Sequence, residues 1–182
     1  MDIERLKSKI KIIKDFYLAN NDEIVLCHYN LKGGILYDKN GAPYHRNLLL
    51  SITNENDIRL ILSKRKAASI YGIGIDLVAK SRIKKHNFNK SSVFYSKELE
   101  QINLDYANYL KILSIKEACF KAVSPLYRKE KISASIFDFE ISDKIDTHNK
   151  TLKVVEKNKA ELFYQTIDDD EYVFVIALCK RV

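Results

Sequence analysis

The sequence predicts an α+β fold, with a mostly antiparallel sheet and helices on one face. Three observations lead there. The N-terminal stretch repeats apolar residues at spacings of three and four, the period of an amphipathic helix, and a longer helix is expected over residues 105–122. Short apolar runs bounded by polar turns fill much of the remainder, as strands do. After Ser124-Pro125 the chain is strand-rich.

In chain order, Ile3, Leu6, Ile10, Ile13 and Tyr17 define the first helix. Its basic polar face suits either a domain surface or a membrane surface, and the domain surface is expected. "EIVLCHY" (Glu23 to Tyr29) and "GGILYD" (Gly33 to Asp38) read as short strands. "KNGAPYHRN" is a turn marked by Asn40-Gly41 and Pro43. "LLLSIT" and "IRLILS" are strands separated by the polar loop "NEND", and "IYGIGIDLV" is the next strand. A short helix over Ala79 to Lys84 and a loop rich in Lys, Asn and Ser follow. "SKELEQI" opens a helix capped by Ser96. A longer helix covers Asp105 to Ala122 and ends at Ser124-Pro125. "ISASIFDFEIS", "LKVVEK", "AELFYQTI" and "EYVFVIALCK" read as strands. Ser51 to Lys64 and Gln165 to Lys180 share one plan of strand end, polar loop and apolar strand. That plan fits either an internal repeat or two unrelated hairpins.

The length of 182 residues suits one domain or two small halves packed as one unit. An apolar fraction of 46% is enough to build a core. The net charge of +7 is spread over lysines such as Lys7, Lys9, Lys11, Lys64, Lys66, Lys84 and Lys85. Such a surface attracts phosphates, nucleic acid, anionic membranes or an acidic protein, or is simply a solvated shell. No nucleic-acid-binding motif stands out. Cys27, Cys119 and Cys179 are odd in number, without a C-x-x-C, and read as buried thiols of a reducing compartment. His28, His45, His86 and His148 do not cluster with them, so zinc is not expected. The charged N-terminus lacks the apolar core of a signal peptide, and no run reaches the length of a membrane span. A cytoplasmic protein is expected.

Two features carry chemistry. In "GIGIDLVAKSRI" a single carboxylate, Asp76, sits inside an apolar, glycine-bearing strand. In "LSIKEACFKAV", Glu117 and Lys121 are four apart and share a helix face, with Lys116 beside Glu117. Each has an ordinary reading alone: Asp76 as a cap of the next turn, Glu117–Lys121 as a surface pair worth a few tenths of a kcal/mol. Together, the two carboxylates can converge on a hard cation. Mg²⁺ uses one or two carboxylates together with substrate phosphates, and Lys116 and Lys121 can hold further phosphate oxygens. The constellation suits a diphosphate substrate.

These residues resemble a known family, the 4′-phosphopantetheinyl transferases. "GIGIDLVAKSRI" looks like their first signature, a Gly-x-x-Asp strand with an arginine, Arg82, six residues after the aspartate. "KEACFKA" is similar to their second, Lys-Glu-Ala-x-x-Lys-Ala, and "VFYSKELEQI" holds the place of a third, weaker one. The resemblance covers residue 70 to the C-terminus and, more loosely, the first seventy residues. It implies the fold of that family and Mg²⁺-dependent transfer of the phosphopantetheine arm of coenzyme A to a serine of an apo acyl or peptidyl carrier protein. Such carriers serve fatty acid, polyketide or nonribosomal peptide synthesis. Asp76 and Glu117 would ligate Mg²⁺. Glu117 or a metal-bound water would take the serine proton, and Lys121, supported by Lys116, would bind the coenzyme's phosphates. Arg82 would face the acidic carrier protein. The glycines would let the diphosphate approach the backbone. Neither a nucleic-acid nor a membrane partner is implied.

The family has two forms: a short one that trimerises and a longer pseudo-dimer of two related halves. Val78 stands where the longer form has an acid, yet "NGAPYHRN…SITN" looks like that form's first half. The expected organisation is a compact, monomeric pseudo-dimer with residues 1–70 completing the site and residues 71–182 carrying both signatures; a homotrimer is the alternative. The family's coenzyme-contacting Gly-Lys-Pro and Ser-His appear here as Gly41-Ala42-Pro43 and Thr53-Asn54, with His45 and Arg46 as substitutes. Leu113 replaces a tryptophan, and Leu99, between Glu98 and Glu100, falls on the third signature's acid position. A degenerate homologue that only binds an acidic protein partner is the other reading.

Overall fold

The computed structural model describes residues 36–38, 42–56, 58–85, 94–104, 107–133, 135–141, 145–147, 155, 157–168 and 170–182. The expected N-terminal helix, the strand from Glu23, Asn40-Gly41, Cys27, His28, His86 and His148 lie outside them.

Strands β1 (Leu36–Tyr37) and β2 (Pro43–Tyr44) form a small antiparallel pair. β3 (Leu48–Glu55) and β4 (Ile58–Arg65) form a longer hairpin. β3 runs two residues further into the polar loop than expected, to Glu55, and Asn56, with a left-handed backbone (φ 51), turns the chain tightly into β4 at its expected start. β5 (Ile70–Ala79) leads into a 3₁₀ helix, Lys80–Lys85. The main sheet has the order β5-β9-β8, with β8 at Ala160–Asp168 and β9 at Tyr172–Arg181. Every strand pairing among the described residues is antiparallel, and both stretches of the suspected repeat are hairpins. The α+β class with antiparallel sheets and helices is therefore observed.

Helix α1 is Ser96–Leu104. Ser96 is its first residue rather than its cap, and the Tyr95 N–H donates to the Glu98 carboxylate (2.8 Å). α2 is Ala107–Glu130. It runs past the expected end and through Pro125, which lacks the N–H that a helix interior uses. Tertiary packing overrides that cost. Leu126 and Tyr127, beyond the proline, are buried in the core, and the Ser124 hydroxyl donates to the Phe120 carbonyl (2.7 Å). The expected strand from Ile132 shortens to β6 (Phe139–Ile141), paired with β7 (Ile145–Thr147). Ahead of it, a reciprocal Ser135–Asp138 capping box diverts the backbone into a 3₁₀ turn. In "LKVVEK", Val155 and Lys157 are helical rather than extended.

β5 is buried on both faces. Ile73, Ile75 and Leu77 face Leu60 and Leu62 of β4, alongside Phe174 and Ile176 of β9. Val78, Val173, Val175 and Ala177 belong to a larger core built with Ile115, Ala118, Cys119 and Ala122 of α2. The outer edge of β5 is covered by side chains: Ile75 N–H donates to Ser51 Oγ (3.0 Å) and Leu77 N–H to Thr53 Oγ1 (3.3 Å). Cys119 and Cys179 are unbridged and buried; burial pushes the Cys179 thiol up to about 12 and the Cys119 thiol further. Among the described residues no helix is long and apolar enough to cross a membrane.

Candidate functional site

Two periodicities build the site. Along β5 the period of two turns Gly72, Gly74 and Asp76 toward α2. Along α2 the period of four turns Ser114, Ala118 and Ala122 toward β5. The stripes meet rung by rung. A Cβ on Gly74 would lie 1.8 Å from the Ala118 carbonyl oxygen, and one on Gly72 2.2 Å from that of Ala122. At these glycines the helix backbone takes the space a side chain would fill, while Gly72 also lines an adjoining groove. Their consequence is a close strand–helix contact that brings the next rung, Asp76, against Ser114.

Asp76 is 3% exposed and accepts three hydrogen bonds. Ser114 Oγ donates to Oδ2 (2.7 Å), and Thr53 Oγ1 (3.1 Å) and Lys121 Nζ (3.0 Å) donate to Oδ1. Lys121 also donates to the Ile75 carbonyl (2.9 Å) and lies 3.9 Å from Glu117 Oε2. Burial, and then the charge of Asp76, hold the Glu117 carboxyl above its ordinary range; the positive charges of Lys121 and Arg82 pull the other way. Asp76, Glu117 and Lys121 thus converge from a strand and a helix.

The donor set fits one hard divalent cation. Two carboxylates from different elements face each other closely enough to raise one of them, and such ions take carboxylate oxygens and leave other positions to water or phosphate. Among the described residues no group of three or more His, Cys, Asp or Glu converges, so substrate or solvent would complete the coordination.

A groove of about 770 Å³ opens beside the cluster. Tyr44, His45, Lys66, Phe120, Lys121 and Arg128 contribute to its walls. Lys121 belongs to both groove and cluster. Lys66 donates to the Arg46 carbonyl (3.0 Å) and stacks over Tyr44; Arg128 pairs with Asp38 (3.3 Å).

The other expected site residues divide. His45 lines the groove, its Nδ1 accepting from the Asn47 N–H (3.2 Å). Asn54 lines it too and accepts from Arg59 Nε (2.7 Å). Arg46 is exposed and is not part of the groove wall. Thr53 is spent on Asp76 and the β5 backbone rather than facing the groove. Arg82 is half-exposed at the cluster's rim and pairs with the buried Glu55 (3.1 Å). Lys116 departs from expectation. It is fully buried, pairs with Glu98 (2.6 Å) and packs against the Phe94 and Tyr95 rings. One residue from Glu117 is about a 100° turn of the helix, which carries Lys116 into the core and away from any phosphate. Glu98 also accepts from the Ile141 N–H (2.7 Å), so it ties α1, α2 and β6 together. It is Glu98, rather than Leu99 or Glu100, that supplies the buried acid of "VFYSKELEQI".

Sequence reasoning missed Ser114, Lys66, Arg128 and the Glu98–Lys116 pair. Ser114 was within reach, three residues before Glu117 and four before Ala118 on a recognised helix. Arg128 was hidden because the helix was expected to stop before Pro125; carried through, the spacing puts Arg128 seven residues from Lys121 on the same face.

A family model described as the 4′-phosphopantetheinyl transferase superfamily matches residues 72–177, more than half of the chain. No curated protein matches the chain. Among solved structures it is similar to acyl carrier protein synthase of Mycobacterium tuberculosis, at 16% identity over 62% of this chain and 99% of that one, with a TM-score of 0.49. It is also similar to holo-acyl-carrier-protein synthase of Plasmodium yoelii, at 21% over 64% and 99%, TM-score 0.45. A third is the Chronobacterium ammoniagenes synthase–coenzyme A complex, at 15% over 60% and 96%, TM-score 0.46. At these scores the structural likenesses carry no further inference.

Proposed function

This chain belongs to the 4′-phosphopantetheinyl transferase superfamily, and from that premise we propose that it moves the phosphopantetheine arm of coenzyme A onto a serine of an apo acyl or peptidyl carrier protein in the cytoplasm. The observation that carries the reading is Lys121, shared between the Asp76–Glu117 carboxylate pair and a cation-walled groove.

The chemistry divides among the residues as follows. A serine oxygen of the carrier forms a bond to the pantetheine-side phosphorus, the bond between the two phosphates breaks, and adenosine 3′,5′-bisphosphate leaves. Asp76 and Glu117 hold Mg²⁺, which when bound neutralises charge on the phosphate under attack. Glu117 takes the serine proton; a carboxyl held above its ordinary range is better matched to that task. Ser114 and Thr53 aim Asp76. Lys121 offsets the charge that develops on the diphosphate. Lys66 and Arg128 offer positive charge to the nucleotide end, and His45, whose Nδ1 accepts from Asn47, offers its other ring nitrogen as a hydrogen-bond partner, in place of the lysine and histidine absent at Ala42 and Asn54. Arg82, held by Glu55 at the rim, meets the acidic carrier, and the net charge of +7 speeds the encounter. Residues 1–70 and 71–182 act as two halves of one pseudo-dimer. The reach of Thr53 from the first half to Asp76 in the second supports a site completed within one chain.

The test is to incubate the protein with coenzyme A, Mg²⁺ and several apo carrier proteins and to weigh the carriers by mass spectrometry. The expected result is one added arm per carrier, lost in Asp76→Ala and Glu117→Ala. Absence of the arm from every carrier, with binding that ignores coenzyme A and survives EDTA, would establish instead a basic module that only binds an acidic protein.

A further inference from the structure

We propose that Lys121 is a built-in counter-ion of the Asp76–Glu117 pair, and that a divalent cation entering between these carboxylates turns its ammonium out into the groove, where it meets the phosphates of the substrate. The proposal rests on the reading that Asp76 and Glu117 hold the cation.

The geometry points to this exchange. The Lys121 ammonium is 3.0 Å from Asp76 Oδ1, 2.9 Å from the Ile75 carbonyl oxygen and 3.9 Å from Glu117 Oε2. It stands at the carboxylates that a divalent cation would use. Other groups act on the same pair. Thr53 and Ser114 hydroxyls hold Asp76 from β3 and α2, and Arg82, itself paired with Glu55, bears on Glu117. None of these needs to leave. The hydroxyls are neutral, and Arg82 has its own carboxylate. With a divalent cation seated, its two charges offset the two carboxylates, and the ammonium meets the cation's repulsion with no net attraction left to hold it. Lys121 can move: its side chain is 28% exposed and its residue already forms part of the groove wall. A swing about its long flexible stem exchanges the carboxylates for the groove without disturbing α2.

The consequence is an order and a coupling. The cation frees the lysine for phosphate, so cation and phosphate-bearing ligand raise each other's affinity. Without the cation, Lys121 stays tied to the carboxylates and the groove lacks one of its positive charges.

The test measures Mn²⁺ binding by its paramagnetic resonance signal, without activity as a readout, in wild type, Lys121→Met and Glu117→Gln. Removing the competing charge should tighten Mn²⁺ binding roughly tenfold in Lys121→Met when coenzyme A is absent. It should also shrink the strengthening of Mn²⁺ binding that coenzyme A produces in the wild type, leaving only what direct coordination by its phosphates supplies. Unchanged or weaker binding by a folded Lys121→Met overturns the proposal and leaves the cation assignment intact. If wild type does not bind Mn²⁺, or Glu117→Gln binds it as well as wild type does, the cation assignment itself fails and the proposal with it. An independent check uses only the wild-type chain: acetylation of Lys121, followed by mass spectrometry, should quicken several-fold with saturating Mg²⁺. An unaltered rate means that the lysine does not leave the carboxylates.

Discussion

At the scale of single residues, the two acids next to lysines behave in opposite ways. Glu117 is partly exposed, and burial and then the charge of Asp76 hold its carboxyl above the ordinary range. A carboxyl raised in the folded state contributes stability that is fully present below its unfolded value and is lost as pH rises through its folded one. The cation-free protein should therefore lose stability on going from acid toward neutral pH, and Glu117→Gln should flatten that loss. Melting temperature against pH, with EDTA present, reads it; identical profiles for the two proteins would count against a raised Glu117. Glu98 and Lys116 are fully buried, and their contact stands on desolvated charge. Removing one partner strands the other, at about 3–5 kcal/mol. Lys116→Met and Glu98→Leu should each cost at least that much in urea unfolding, Glu98→Leu the more because it also strands the buried Ile141 N–H, while the double variant should cost less than the sum of the two. A double variant as unstable as the sum of the singles would mean that the pair does not act as a pair.

At the scale of elements, the join between β3 and β5 depends on side chains standing in for a strand ladder. Ser51 and Thr53 accept the N–H groups of Ile75 and Leu77, and both hydroxyl residues are buried. Ser51→Ala leaves a buried N–H without a partner and should cost about 1–3 kcal/mol with cation binding retained. Thr53→Val should cost a similar amount and weaken cation binding as well, since Thr53 also holds Asp76. Equal effects of the two on Mn²⁺ affinity would show that Thr53 has no special hold on the site. α2 makes the same point from the other side. Its passage through Pro125 places Arg128 at the groove, and a helix ending at Ala122 would have left that wall without its guanidinium.

At the scale of the whole molecule, the proposed pseudo-dimer requires that one chain suffice. Sedimentation equilibrium should return a mass near the 21.1 kDa of the chain. A trimer would place this protein with the short form of its family and assign residues 1–70 another role. A surface of net charge +7 should also make carrier-protein association fall steeply with salt while coenzyme affinity, set inside the groove, falls less. Parallel salt dependences for the two ligands would argue that the basic shell is only a solvated surface.

Much of this was legible in the sequence because it depends on local order. An apolar, glycine-bearing run placed Asp76 in a strand, period four joined Glu117 to Lys121, and the two signatures announced the family. The antiparallel hairpins followed from turn chemistry and apolar runs. Tertiary structure alone decided which side of a residue faces what. It turned Lys116 inward to Glu98, although the neighbouring Glu117 faces the site. It packed Gly72 and Gly74 against the backbone of α2, carried α2 through Pro125, and recruited Ser114, Lys66 and Arg128. Local sequence sets the period of an element. Its rotation about its own axis, its end and its neighbours come from burying apolar surface and pairing buried charge across distant segments, and those are properties of the packed chain.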